Sequence, residues 1–336
     1  MENITALPLT LPGTLWGVCA YFNPAGYHSR LKNFQMFRDR MRKQGLPFIV
    51  AEAALGDAPF SLSDADADIV IHVRTSSMIW QKERLLNLAR RALPADCDKV
   101  VCLDTDIIFL RQDWIPALSK ALERHVVVQP FETILHSVPG SVPEEGRTTL
   151  EGMEGVRGLS AARSYTDFPQ ILSGHPGFAV GVRRSLLDEC ELCDWMIVGG
   201  GDSLFMGACY GLCFEQNNFI RSQNTAMHTA SEPWCKKVFE LVQGSVDYID
   251  GDIVHLWHGD RNQRFYHHRK SLLDDFDPRR DICTTKDGCL EWNHASEALK
   301  KNVATYFLVR DEDQTGSMNT NSHAREMYAK FTETVL

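Results

Sequence analysis

Apolar and polar positions fall into distinct blocks along the first third of the chain. "TLWGVCAYFNP" is an almost unbroken apolar run closed by Asn23 and Pro24, which predicts a buried strand. "HSRLKNFQMFRDRMRKQG" carries Leu31, Phe34, Phe37 and Met41 at helical spacing, with Gly45 as a stop. "PFIVAEAAL" predicts a second strand, and "SDADADIVIHVR" a polar turn leading into a third. "MIWQKERLLNLARRAL" predicts a helix whose buried face includes Ile79, Leu85, Leu86 and Leu88. "DKVVCLDTDIIF" predicts a fourth strand. This β-α-β-β-α-β order implies an α/β fold with a mainly parallel sheet covered by helices.

The pattern changes further on. "DWIPALSKALERH" predicts a helix and "VVVQPF" a strand. From about residue 132 to 170 the chain is rich in Gly, Ser, Pro and charge, without periodicity. A loop of that length in a compact domain is usually functional, so a mobile flap is expected there. "GHPGFAVGVRRSLLDEC" predicts a strand entering a helix, and "MIVGGGDSLFMGACYG" a glycine run and a helix starting near Asp202. "DIVHLWHGD" predicts a short strand ending in histidines. Beyond Asp275 the chain is polar, with one amphipathic helix near "ASEALKKNVATYFLV" and an end expected to be loosely held. There is no internal repeat.

At 336 residues the chain can form one large domain with additions. Its net charge of −9 tells against a large nucleic-acid footprint. No apolar run reaches membrane-spanning length. The start "MENITALPLTLPG" lacks the basic and apolar segments of a signal peptide, so a cytoplasmic protein is expected. In that setting the ten cysteines are expected to be reduced. Cys190 and Cys193 form a C-x-x-C, but Cys209 and Cys213 are spaced C-x-x-x-C in an apolar segment, a poor match to structural zinc.

Three stretches carry candidate chemistry. Asp104 and Asp106 end the fourth strand, and ligands of open α/β sheets bind at the carboxyl ends of strands. Alternation sends both carboxylates the same way. They would repel each other unless a cation such as Mg²⁺ or Mn²⁺ lay between them, and such ions commonly share substrate phosphates. Asp202, after three glycines, is placed either as a helix cap or as a general base presented at a cleft. "HLWHGDRNQRFYHHRK" gathers His255, His258, His267 and His268 with Arg261, Arg264, Arg269 and Lys270. Imidazoles suit borderline metals, and arginine forks suit phosphate oxygens. A phosphatase of the D-x-D-x-[TV] type fits poorly, because Ile108 holds the fifth position and three strands precede the motif.

In this order the segments resemble glycosyltransferases of the GT-A fold, which is Rossmann-like. "AYFNP" is similar to the strand and loop that hold the nucleotide base, which implicates Tyr21 and Asn23. "WQKERLLNLA" resembles the helix before the Asp-x-Asp, with Arg84 and Asn87 at the nucleotide-contacting positions. "LDTD" resembles the metal motif. "HPGFAVGVRRSLLDEC" with "CDWMIVGGGDSLF" is similar to the galactosyltransferase-like pattern, except that Val198 stands for its Trp and Gly201 for its Glu. "HGDRNQRFY" is similar to the metal-ligand segment of polypeptide N-acetylgalactosaminyltransferases. The resemblance implies a domain over residues 12–272, followed by an extension over 273–336. It implies Mn²⁺ or Mg²⁺ held by Asp104, Asp106 and His258, with His255 as the alternative ligand. Arg261, Arg264 and Tyr266 would approach the diphosphate, and Asp202 would serve the acceptor. The implied reaction moves a sugar from a nucleoside-diphosphate sugar, UDP-linked by expectation, to a glycan, protein or small-molecule acceptor, with inversion slightly favoured. A sugar-nucleotide nucleotidyltransferase and a non-catalytic sugar-nucleotide-binding protein are the alternatives.

Overall fold

The computed structural model describes residues 9–169, 171–213, 224–266 and 269–314. Its strands are β1 (Thr14–Phe22), β2 (Phe48–Leu55), β3 (Ile69–Thr75), β4 (Cys97–Leu103), β5 (Ile107–Phe109), β6 (Val127–Gln129), β7 (Thr133–Ser137), β8 (Gly155–Leu159), β9 (Ala179–Arg183), β10 (Val246–Tyr248), β11 (Asp252–His255), β12 (Ile282–Thr284) and β13 (Leu290–Trp292). Its helices are α1 (His28–Gln44), α2 (Lys82–Arg91), α3 (Trp114–Leu122), α4 (Ala161–Asp167), α5 (Arg184–Glu189), α6 (Gly201–Cys209), α7 (Thr225–Val242), α8 (Pro278–Asp281) and α9 (Glu297–Val309).

The main sheet has the order β10-β6-β9-β4-β1-β2-β3. Its pairs are parallel except that β9 runs against both β4 and β6. Strand alternation explains why the sheet needs helices on both faces. Val18, Ile49 and Val100 face one way and pack with Leu85, Leu86 and Ala89 of α2. Their neighbours Cys19, Val50 and Val101 face the other way and pack with Phe34, Phe37 and Met41 of α1. Both phenylalanines of α1 are fully buried, each worth about 1.5–3 kcal/mol relative to exposure. Gly45 ends α1 in the left-handed conformation, as its position in the sequence suggests.

A second sheet, order β5-β11-β7-β8, sits beside the first. The stretch expected to be one fourth strand is therefore split. β4 ends at Leu103 in the main sheet, and β5 begins at Ile107 in the smaller one. Asp104, Thr105 and Asp106 form the step between them. Hydrogen bonds from the Asp104 N–H to the Phe178 carbonyl (2.8 Å) and from the Leu256 N–H to the Asp106 carbonyl (2.8 Å) pin it on either side.

Residues 132–170, where a flap is expected, are not without regular structure. Up to residue 169 they contain β7, β8 and α4, because Leu135 and Leu150 have an apolar cluster to join with Ile108, Val254 and Leu256. The intervening loop is tied to α1 by a bond from Arg40 to the Pro143 carbonyl (3.0 Å) and an ion pair between Lys43 and Glu145.

The described part of the C-terminal extension packs as an integral part of the body. Gln81 exchanges two hydrogen bonds with the Leu290 backbone (2.8 and 3.0 Å), clamping the β12–β13 hairpin to the start of α2. Val303, Tyr306 and Phe307 of α9 are buried. The end expected to be loosely held, residues 315–336, lies outside the described residues. All ten cysteines are free thiols. Among the described residues, no helix is long and apolar enough to cross a membrane.

Candidate active site

A cavity of about 520 Å³ opens where the two sheets meet. Asp104, Thr105 and Asp106 line it from the step between β4 and β5. The register of β11 against β5 sets His255 opposite Ile107, so its ring arrives beside Asp106. His258 follows one short turn later. Asp106 Oδ2 lies 3.0 Å from His258 Nε2 and 3.6 Å from His255 Nε2, and the two imidazole nitrogens are 3.1 Å apart. Among the described residues these three form the one cluster of His, Cys, Asp or Glu compact enough to hold a metal ion.

The chemistry of this cluster fits a cation. Asp106 Oδ1 is buried and has no hydrogen-bond partner among the described residues, a costly state unless an ion completes it. Burial pushes the His255 imidazole down to about 4 despite the nearby Asp106. It is therefore neutral at ordinary pH, the form that ligates metals. Burial would raise Asp106, but His255 and His258 hold it well below the usual carboxylate range.

Asp104 is differently employed. Its Oδ1 lies 2.5 Å from Lys82 Nζ. The compact cluster thus gathers Asp106, His258 and the alternative ligand His255, whereas Asp104 pairs with the neighbouring lysine. Burial would lower the Lys82 ammonium, but Asp104, Asp202 and Glu83 raise it above its ordinary value. Glu83 is pushed up to about 8, first by burial and then by Asp202, against the pull of Lys82. Gly201 makes room for it: a Cβ there would lie 2.4 Å from Glu83 Oε1. Asp202 occupies the first turn of α6, accepts a bond from the Ser203 N–H (2.8 Å) and lines the same cavity.

Cationic side chains supply much of the remaining wall: Arg30, Arg261, Arg264, Arg269 and Arg310 all line it. Arg264 donates to the Tyr266 hydroxyl (3.1 Å) and also reaches His258 Nε2 (2.8 Å). His136 and His175 complete the floor. Burial first, then neighbouring cationic groups, lower them to about 2 and about 4.

Four sequence-predicted residues lie elsewhere. Arg84 is committed to the Gly288 carbonyl and to Asp194 (3.0 Å). Asn87 exchanges two bonds of 2.9 Å with the Leu192 backbone. The Tyr21 ring packs edge-on against Phe34 in the core. Asn23 bonds the Tyr27 backbone twice (2.8 and 2.9 Å), closing the loop before α1. His267 and His268 lie outside the described residues. Sequence reasoning missed Lys82, Glu83, His136, His175, Arg30 and Arg310. Lys82 and Glu83 were within the quoted helix, two positions and one position before Arg84, the residue chosen; only the direction of each side chain separates them.

No protein-family model matches the sequence, and no curated protein sequence matches it. Several solved structures are similar in outline. S. aureus TarS 1-349 in complex with UDP-GlcNAc is 11% identical, with 95% of this chain and 79% of that chain covered and a TM-score of 0.38. Glucosyl-3-phosphoglycerate synthase from Mycobacterium tuberculosis, in complex with Mn²⁺, UDP and glucosyl-3-phosphoglycerate, is 12% identical, with 85% and 89% covered and a TM-score of 0.39. The catalytic domain of Drosophila β1,4-galactosyltransferase 7 with xylobiose is 11% identical, with 57% and 59% covered and a TM-score of 0.31. At these TM-scores the likeness is one of broad outline.

Proposed function

We propose that the protein is a metal-dependent glycosyltransferase of the GT-A type. It would take a nucleoside-diphosphate sugar, UDP-linked, and pass the sugar to an acceptor hydroxyl with inversion. The observation that carries this reading is the pairing of one compact ligand cluster, with its unsatisfied Asp106 oxygen, and five arginines around a single cavity. Two imidazoles and a carboxylate also serve nonhaem iron. The arginine-rich wall favours a phosphate-bearing ligand instead.

Asp106, His255 and His258 would hold the ion, and the two imidazoles favour Mn²⁺ over Mg²⁺. When bound, it supplies Lewis-acid stabilisation of the departing diphosphate. One lone pair cannot serve both an ion and Arg264, so a loaded site leaves that guanidinium for the phosphates. Arg261 stands ready for the same charge. On the other wall, Asp202 would accept the proton of the attacking hydroxyl. Glu83, neutral below about pH 8, can donate a hydrogen bond to a sugar or acceptor oxygen. Ten unpaired thiols suit a reducing compartment such as the cytoplasm.

Incubation with a panel of UDP-sugars and Mn²⁺, with detection of released UDP, tests the reading without knowledge of the acceptor. Release from at least one donor, abolished by chelation, is expected. Absence of release from every donor, with no UDP binding, would reject it.

A further inference from the structure

Glu312 belongs to the polar C-terminal stretch that no sequence motif singled out, yet it is 2% exposed and sits directly behind the ligand cluster. Its Oε2 lies 3.2 Å from His258 Nδ1, while the opposite nitrogen of that ring, Nε2, faces Asp106 at 3.0 Å. With an ion beside Asp106, an imidazole so placed would have its tautomer fixed: Nδ1 would keep the proton and donate it to the rear carboxylate, and Nε2 would present its lone pair to the ion.

The chain around Glu312 is built to deliver this carboxylate. Arg30 grips it with two bonds of 2.7 and 2.8 Å, and Arg310 adds a third at 2.8 Å. Next to it, Asp313 accepts bonds from the His28 and Ser29 N–H groups (2.7 and 2.8 Å), fastening the strap to the N-terminus of α1. The Tyr27 hydroxyl donates to the Phe307 carbonyl (2.7 Å) in the last turn of α9, just before this segment. Gly259, directly after His258, has φ +90°, and a Cβ there would lie 2.8 Å from Glu312 Cα. The absence of a side chain lets the two segments touch.

We infer that Glu312 is a positioning residue for the ion site: it orients His258 and fixes its tautomer, so that the C-terminal strap is a working part of the centre. The inference rests on the reading of Asp106, His255 and His258 as an ion site. A purely structural alternative exists, in which Glu312 only neutralises Arg30 and Arg310.

Mn²⁺ titration of the full-length protein at fixed UDP, with free Mn²⁺ read by electron paramagnetic resonance, separates the two. Wild type, E312Q, H258Q and the double variant form a cycle, and each is also melted without metal. E312Q is expected to weaken Mn²⁺ binding about 10–100-fold. In the H258Q background the same change should cost no more than about twofold, since Glu312 acts through that ring. Unchanged Mn²⁺ affinity in E312Q, or an equal loss in both backgrounds, would overturn the inference and leave the ion site standing. Failure of wild type to take up Mn²⁺ would overturn the ion site and the inference together. Should E312Q not fold, E312D is read in the same cycle, because it keeps the charge that Arg30 and Arg310 require while withdrawing the carboxylate from Nδ1.

Discussion

On the wall formed by α2 and α6, Lys82 stands beside Asp104 and near Asp202, with Glu83 close behind. On the opposite wall, formed by β11 and the strap, Asp106 and Glu312 stand among imidazoles and arginines. Asp104 and Asp106 are two residues apart in sequence, yet they serve different walls. Burial and its acidic neighbour raise Asp104, even with Lys82 opposing, whereas two histidines hold Asp106 low. The comparison teaches that an Asp-x-Asp is not one functional unit here. Asp106 stands in the histidine cluster, where the proposed ion and phosphates would lie, and Asp104 pairs with Lys82 beside Asp202, where the proposed acceptor would be handled.

The sharpest way to break this comparison is to remove each carboxylate in turn. Asp106→Ala should lower turnover by about three orders of magnitude or more, the worth of several kcal/mol of charge stabilisation. Mn²⁺-dependent UDP binding, followed by calorimetry, should fall with it. Asp104→Ala should weaken Mn²⁺ binding at least tenfold less than Asp106→Ala does. Equal losses would mean that both carboxylates share the ion, as the sequence alone suggests. Asp202→Asn should reduce transfer by about two to four orders of magnitude, the usual worth of general acid–base catalysis, while UDP binding with Mn²⁺ stays put. Parallel loss of UDP binding would move Asp202 to the donor side.

Glu83 sharpens the comparison through pH. Its folded-state value near 8 lies above the ordinary value of 4.5, so the folded protein binds the extra proton. Stability contributed in this way is intact below about pH 4.5 and is lost as pH rises to about 8. Denaturant midpoints across that window should decline less in Glu83→Gln, with a gain on the order of a few kcal/mol above pH 8. A variant as pH-sensitive as wild type would show that Glu83 is ionised in the fold. The smallest effect on ligand is expected for Arg84→Met. It leaves Asp194 and the Gly288 carbonyl unpaired, costing about 1–3 kcal/mol of stability, and UDP affinity should stay within about twofold. A tenfold loss of UDP affinity would return Arg84 to the nucleotide site.

The alternating apolar blocks made the first half of the main sheet legible, because a strand covered on both faces has to be apolar on both. The step at Asp104–Asp106 was legible as a place but not as a boundary, since β4 and β5 read as one apolar run and only pairing partners divide them. Residues 132–170 hid β7 and β8 for a related reason. β8 is half-exposed and short of apolar residues, so its strand character comes from pairing with β7 and not from its own pattern. Arg84 and Lys82 share one helical turn, and the C-terminal hairpin that claims Arg84 lies about two hundred residues away. Glu312 carried no signal, because its partners come from α1 and from the segment after β11.

The central claim is that this cavity binds a nucleoside diphosphate through an ion held by Asp106, His255 and His258. Calorimetric titration of wild-type protein with UDP, in Mn²⁺ and then in excess chelator, tests it most directly. Tight binding in Mn²⁺ that weakens at least tenfold on chelation, and that His258→Gln reduces in the same way, is the expected result. UDP affinity identical in Mn²⁺ and in chelator would contradict the account.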